Sequence, residues 1–262
     1  MAENLAWDAA RGLVSAQIGW TGGNHNLDIA DGKIDLWEGG VTYPFPMAAK
    51  SLRISSSDPQ DTLGGSGAWM VRVMGVGTDW KRKEVDVFLS GSTPVPVQDL
   101  TKGIDDQWLR VNFVLVLLCG SGGTNAGTIT VTDTADPAVT YGVIKPSNAR
   151  SFNLIFSVPK GYRAYLTKFV FNLGVGKRAM FRLERRHNPS FSVTPNLPFL
   201  PEFAAELTGD GRLIERDFSG IPFVANAGQD VKLSCESHDD DNEVWAWADG
   251  FIVLEDPSLY AS

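Results

Sequence analysis

Apolar and polar residues alternate with a period of two along much of the chain, the pattern of strands that bury one face. Ala68-Trp69-Met70-Val71-Arg72-Val73-Met74 and Lys83-Glu84-Val85-Asp86-Val87-Phe88 show it most clearly. Between them, Gly75 to Asp79 reads as a hairpin loop, with glycine supplying positive φ. Segments rich in Val, Ile, Phe, Tyr and Thr predict further strands over 109–118, 127–132, 152–158, 163–173, 178–186, 213–218, 230–235 and 244–254. No stretch carries the period of a long amphipathic helix, although Pro201 to Leu207 has room for one or two helical turns. The expectation is an all-β protein of two β-sandwich or jelly-roll-like modules.

Three regions follow from this pattern. Residues 1–47 are rich in Gly, Asn, Asp and Trp with little alternation and read as an extended N-terminal arm laid on neighbouring subunits. Residues 48–145 form a first β module and residues 146–262 a second, with Pro137 to Ser147 as the linker. Pro189 to Pro201 contains four prolines and reads as a long loop inside the second module. Its neighbourhood, with Phe191, Phe199 and Phe203, exposes apolar surface unless something covers it.

Charge narrows the partners. A formal net charge of −8, spread along 262 residues, argues against nucleic acid, which demands clustered Lys and Arg. The densest basic runs, Lys81-Arg82-Lys83 and Arg182 to Arg186, lie in strand-like segments beside Glu84 and Glu184 and read as solvated faces or subunit ion pairs. Cys119 and Cys235 are too few for a disulfide framework and read as buried thiols. The opening residues lack the pattern of a signal peptide, and the longest apolar run, Phe113 to Cys119, is far shorter than the ~20 residues of a membrane helix. A soluble protein from a reducing cytoplasm, with no membrane partner, is expected.

Candidate chemistry is sparse. Gly174-Val175-Gly176-Lys177 approaches a phosphate loop, but Phe171 and Arg178 stand where that pattern needs Gly and Ser or Thr, so a β-turn is expected. Gly64-Gly65-Ser66-Gly67-Ala68 nearly spells a nucleophile elbow, yet Ala68 replaces the last glycine and a strand follows. His25, His187 and His238 are far apart and lack paired zinc-ligand spacing. The acidic run His238 to Glu243 could offer oxygen ligands to calcium, but contiguous carboxylates without EF-hand spacing read more naturally as a solvated turn. No catalytic residue, cofactor or metal is assigned.

Tryptophan is the unusual abundance, with eight residues. Trp69 and one of Trp245 and Trp247 are assigned to core packing; the last two alternate with Ala246 and should share a sheet face. Trp7, Trp20 and Trp37 lie in the arm, where no private core is expected, and are read as subunit contacts. Tyr43, Phe45, Phe191 and Phe199 join them as expected interface residues.

The order of several short motifs resembles virion structural proteins of tailed bacteriophages. They are Trp7-Asp8 with Arg11-Gly12, Leu36-Trp37-Glu38-Gly39-Gly40 leading into Tyr43-Pro44-Phe45-Pro46, and Ser55-Ser56-Ser57 with Asp61-Thr62 and Gly64 to Gly67. Gly120 to Gly127, Val158 to Leu166 and Ala248 to Leu254 complete the set, which spans nearly the whole chain. Phe181 to Pro189 departs from the Arg-Pro-containing strand expected there. The resemblance implies a non-enzymatic virion component made in the host cytoplasm. It would be homo-oligomeric and packed against major capsid or neck and tail proteins. A capsid decoration (cement) subunit is the favoured place, a neck or tail ring anchoring fibres the next, and a host-glycan-binding module or a depolymerase the readings of other classes.

Overall fold

In the computed structural model the described residues are 16–21, 25–40, 42–188, 191–192, 197–210, 214–217 and 223–254. The described residues are almost entirely β, with short 3₁₀ turns at Ile29–Asp31 and Leu100–Lys102. Three short strands come first: β1 (Ala16–Thr21), β2 (His25–Leu27) and β3 (Lys33–Asp35). Next are β4 (Lys50–Ser56), β5 (Ala68–Gly77), β6 (Arg82–Phe88), β7 (Val95–Pro96), β8 (Gln107–Cys119), β9 (Ile129–Asp133) and β10 (Thr140–Ile144). The remainder are β11 (Ile155–Ser157), β12 (Tyr162–Asn172), β13 (Arg178–His187), β14 (Leu200–Thr208), β15 (Ile214–Asp217), β16 (Phe223–Ala225), β17 (Gln229–Ser237) and β18 (Asn242–Leu254).

The first and last groups together make one sandwich. In one sheet β18 and β12 are central; β1 and β2 flank β18, while β15 and β16 flank β12. In the other, β17 and β13 are central; β3 and β11 flank β17, and β14 closes the far edge. The chain crosses between sheets at β2–β3, β11–β12, β12–β13, β14–β15, β16–β17 and β17–β18, and among the described strands makes an in-sheet hairpin at β13–β14. With collinear short strands counted as one position, this is the strand order of a jelly roll. Its core is built from the inward residues of both sheets, including Leu166, Phe169, Phe171, Phe181, Leu183, Val231, Leu233 and Val244. Phe171 and Phe181 meet across the layers with ring centroids 4.4 Å apart.

One strand of this jelly roll is split. Along β17, Glu236, Cys235 and Ser234 face Lys33, Ile34 and Asp35 of β3, and Lys232, Val231 and Asp230 face Ile155, Phe156 and Ser157 of β11. At the junction the Leu36 N–H donates to the Leu233 carbonyl, and the Leu233 N–H donates to the Leu154 carbonyl. Leu36 and Leu154 therefore share one register position, and residues 37–153 leave and re-enter there as an insertion. Trp37 and Asn153 bridge each other at the neck of the excursion.

The insertion carries the seven-stranded arrangement β10-β9-β4-β8-β5-β6, with β7 beside β4. Val71, Val73, Val85, Val87, Val111 and Val114 point inward from β5, β6 and β8 and meet Leu52, Ile54, Ile129, Val131 and Ile144 from β4, β9 and β10. Asp61 fixes one end of this second sandwich. Its buried carboxylate accepts the N–H groups of Ala68 (2.6 Å), Ala126 (2.8 Å) and Gly127 (2.9 Å) and the hydroxyl of Ser56. Four motifs separated in sequence, around Ser56, Asp61, Gly64–Gly67 and Gly120–Gly127, are gathered by that one side chain.

Several expectations change. Residues 1–15 of the expected arm lie outside the described residues, but its strands β1, β2 and β3 belong to the two sheets of the chain's own jelly roll. Pro137 to Ser147 is not a linker, because β10 within it completes the inserted sheet. Pro201 to Leu207 is strand β14 rather than helical turns, since pairing with β13 along its length satisfies its backbone. Cys235 is buried in the core, and burial pushes its thiol up to about 12, whereas Cys119 at the end of β8 is only half-buried. The split strand yields a direct test. A chain joining Leu36 to Ile155 should retain a cooperative β fold by circular dichroism and thermal melting. A product without cooperative melting would contradict the insertion.

Candidate functional site: the seam between the modules and the exposed sheet faces

The most concentrated charge lies where β8 of the insertion crosses the outer face of the β17–β13 sheet. Asp230, fully buried, accepts Nε and Nη2 of Arg110 at 3.0 and 2.9 Å from the inserted module. From the jelly roll it accepts Nε and Nη2 of Arg186 at 3.1 and 2.6 Å, Nδ2 of Asn188 at 3.1 Å and the Ser157 hydroxyl. Nη1 of Arg110 donates to the carbonyls of Pro46 (2.9 Å) and Leu109 (2.7 Å). Beside them the Asn112 side chain donates to the Ser157 carbonyl (2.8 Å) and accepts its N–H (2.9 Å). The ion pairs continue along the sheet: Lys232 binds Asp35 at 2.7 Å, and Lys33 binds Glu184 at 2.9 Å. Asp35 in turn accepts the Tyr43 N–H at 3.0 Å and ties down the chain as it leaves the jelly roll.

Burial opposes ionisation of Asp230, but the charge and hydrogen bonds of Arg110, followed by Arg186 and Ser157, outweigh it and hold the carboxyl below its ordinary value. Glu184 behaves likewise: burial raises its pKa, and Ser234, Lys33 and Lys232 together lower it further. These are structural ion pairs whose members satisfy one another, and a buried pair of this kind gives way badly when one partner is removed.

Aromatic rings roof the charges. Phe45 lies 4.8 Å from the Arg186 guanidinium and Phe199 lies 4.6 Å from it, with the two rings 4.9 Å apart. Lys232 stands 4.7 Å over Phe199, and Phe191 packs 6.1 Å from Trp80. Phe45, Phe191 and Phe199 are thus half-buried against their own chain. Trp37 and Tyr43 are 2% exposed, packed edge-to-face at 5.0 Å in the inserted module's core. Both are core residues rather than contacts for a neighbour, because the insertion supplies the core that the arm was expected to lack. Trp7 lies outside the described residues; the backbone of Trp20 sits in β1 opposite Ala248, and its side chain lies outside them.

The other predicted features fall as follows. Trp245 and Trp247 do share a face, 5.6 Å apart, but it is the outer face of β18; Val244, Ala246 and Ala248 fill the core, so neither tryptophan is a core residue. Trp69 is only half-buried, its indole N–H donating to the Gly65 carbonyl at 2.7 Å. Gly174 to Lys177 forms the β12–β13 turn, and His238 to Asp241 the β17–β18 turn. The basic runs are paired within the chain: Lys83 with Asp105, Arg182 with Glu236, Arg185 with Glu202 and Arg186 with Asp230. Arg110 and Asp230 were invisible as a pair. A single Arg or Asp inside an apolar strand signals a buried partner, but nothing in the sequence names a partner 120 positions away.

A different surface is open. On the outer side of β6, β5 and β8 lie Phe88, Met70, Met74, Phe113, Leu115 and Leu118, with Phe88 53% and Leu118 46% exposed. A bidentate Arg72–Asp86 pair at 2.7 and 2.8 Å crosses this apolar face. No group of His, Cys, Asp and Glu that could hold a metal ion occurs among the described residues.

No protein-family model matches the chain, and no curated protein matches it. Among solved structures it is similar to an infectious bursal disease virus Gx strain structure, at 10% identity and a TM-score of 0.25 over 92% of this chain and 72% of that one. Infectious bursal disease virus-derived T=1 particles give 12% identity and 0.25 over 92% and 70%. Hazelnut vicilin gives 11% identity and 0.14 over 95% and 79%. At these TM-scores the strand order, not the superposition, is the basis for describing the fold.

The seam predicts a pH response. The contribution of Asp230 is complete above the ordinary carboxylate range and is lost only as pH falls through the depressed native value. Asp230→Asn should cost roughly 3–5 kcal/mol in chemical denaturation at neutral pH and flatten the acid limb of the stability curve. An unchanged acid limb would show that Asp230 does not carry it.

Proposed function

We propose that this chain is a non-enzymatic virion structural protein, a rigid two-module subunit that works by packing its sheet faces against other subunits. The observation that carries the proposal is the cluster of exposed and half-buried apolar side chains on the outer face of β6, β5 and β8. One-sided antiparallel sheets ordinarily turn polar residues to water, and Phe88, Met70, Met74, Phe113, Leu115 and Leu118 gathered on one outer face, crossed by the Arg72–Asp86 pair, make it the candidate binding surface. The buried ionisable groups support the same reading: Asp61, Glu184 and Asp230 are each occupied by partners that hold loops or modules together. A jelly roll is one of the architectures from which viral shells are built, and this supports the reading by analogy of fold alone.

Within that reading the chain is a capsid decoration subunit of a tailed phage, found in the virion with major capsid protein as its partner. The inserted module gives such a subunit a second body with its own contact face. A neck or tail ring position is the alternative. The glycan-binding alternative rests on Trp245 and Trp247, but their ring planes stand 88° apart and form no flat platform for a sugar ring.

Quantitative mass spectrometry of purified particles tests the proposal. Copies on the order of hundreds per particle are expected for a capsid-surface subunit. A single ring's worth would move it to the neck or tail, and absence from particles would remove the virion role.

A further inference from the structure

One ion pair of the seam is enclosed in a way the others are not. On the outer face of the β17–β13 sheet, Lys232 of β17 stands directly across from Glu184 of β13. On its other side is β3, where Asp35 pairs with Ser234, two positions along from Lys232. The Lys232 Nζ lies 2.7 Å from Oδ1 of Asp35 and 3.8 Å from Oε2 of Glu184. Lys232, Asp35 and Glu184 are 8%, 2% and 4% exposed, and the Phe199 ring roofs the Lys232 ammonium at 4.7 Å. The pairs Lys50–Asp133, Lys83–Asp105 and Lys81–Asp79 each leave at least one side chain exposed.

An amine, a carboxyl group and a second carboxylate in one enclosed site are the two reactants and the proton carrier for an amide. We propose that Lys232 and Asp35 condense to an isopeptide bond, with Glu184 as the general base, so that β3 and β17 become covalently joined. A proton first passes from Lys232 to Oδ1 of Asp35 across their contact. The Nζ lone pair then attacks Cγ, the Nζ–Cγ bond forms, and Glu184 takes a proton from the nitrogen. Charge develops on Oδ2, which already accepts the Tyr43 N–H at 3.0 Å, the arrangement of an oxyanion site. Glu184 returns its proton to Oδ1, the Cγ–Oδ1 bond breaks, and that oxygen leaves as water. Ammonium and carboxylate have become amide and water, with no oxidant, cofactor or second substrate.

The surroundings favour the step. Reacting groups held about 3 Å apart have the proximity that the same condensation lacks in water. An uncharged amide replaces two buried charges whose desolvation is costly. Ser234, donating at 2.7 Å, and Lys33, at 2.9 Å, hold Glu184 in place as a carboxylate.

The bond joins positions 197 apart and encloses the whole insertion in its loop. It falls on β3, a strand of three residues that leads directly to the neck at Trp37. A cross-link there removes freedom from the unfolded chain, and it backs three ladder pairs with a covalent tie. The proposal concerns these three side chains and does not depend on the virion role.

Intact-mass spectrometry of the purified full-length protein under denaturing conditions tests it. The wild type should be lighter than its sequence by the mass of one water, and tandem spectra should show a peptide containing Asp35 joined to one containing Lys232. Lys232→Arg, which keeps the charge, should restore the full mass. Glu184→Gln, folded by circular dichroism, should remain mostly at full mass when the wild type has reacted completely. A wild type at its full mass would overturn the proposal, and so would water loss that survives Lys232→Arg. Complete cross-linking in Glu184→Gln, as fast as in the wild type, would overturn the role given to Glu184.

Discussion

A single carboxylate, that of Asp230, decides how the two halves of the molecule meet. It sits on the outer face of a jelly-roll sheet, where charged residues would ordinarily face water, and an inserted domain lies against it instead. Burying that face is tolerable only because the charges arrive in matched sets. Arg110 comes from the insertion and spans both carboxylate oxygens, Arg186 comes from the jelly roll, and the two meet at Oδ2. Lys232, Asp35, Glu184 and Lys33 extend the pairing toward the point where the chain exits. The rings of Phe45 and Phe199 then exclude water from the guanidinium groups and strengthen each electrostatic contact.

Other features of the architecture follow from that contact. A domain inserted through one split strand has two crossings, and two crossings alone permit a hinge. Here the crossings are reinforced by the Asn112–Ser157 backbone-like pair and by the Lys160 N–H donated to the Trp80 carbonyl at 2.7 Å. These contacts predict that the modules move as one body, with the outer face of β6, β5 and β8 held in a fixed direction relative to the jelly roll. For a subunit whose proposed work is mechanical, that fixed direction is the useful property.

Long alternating segments were legible because a period of two reports burial of one face whatever the partner strand is; β5, β6, β8, β12, β13, β17 and β18 were all visible. Short strands were read unevenly: β9, β11 and β15 fall in segments whose composition predicts strands, and others do not. β1, β2 and β3 carry few residues each, and their Gly- and Asn-rich surroundings dominate the local pattern, so the region read as an arm. β14 was obscured by Pro201 and by the helix-favouring Ala204-Ala205-Glu206-Leu207, whose preference is overridden by pairing with β13. The insertion itself left no local trace. Its mark is the shared register of Leu36 and Leu154 against Leu233, a relation among three segments. The aromatic residues of 37–45 went astray for the same reason: Trp37 and Tyr43 belong to a core that exists only once the insertion folds around them.

Differential scanning calorimetry of the intact protein at neutral pH tests most directly whether the modules are locked into one body. The account predicts one transition with a calorimetric-to-van't Hoff enthalpy ratio of about 1. Two separable transitions, one for the jelly roll and one for the insertion, would contradict it.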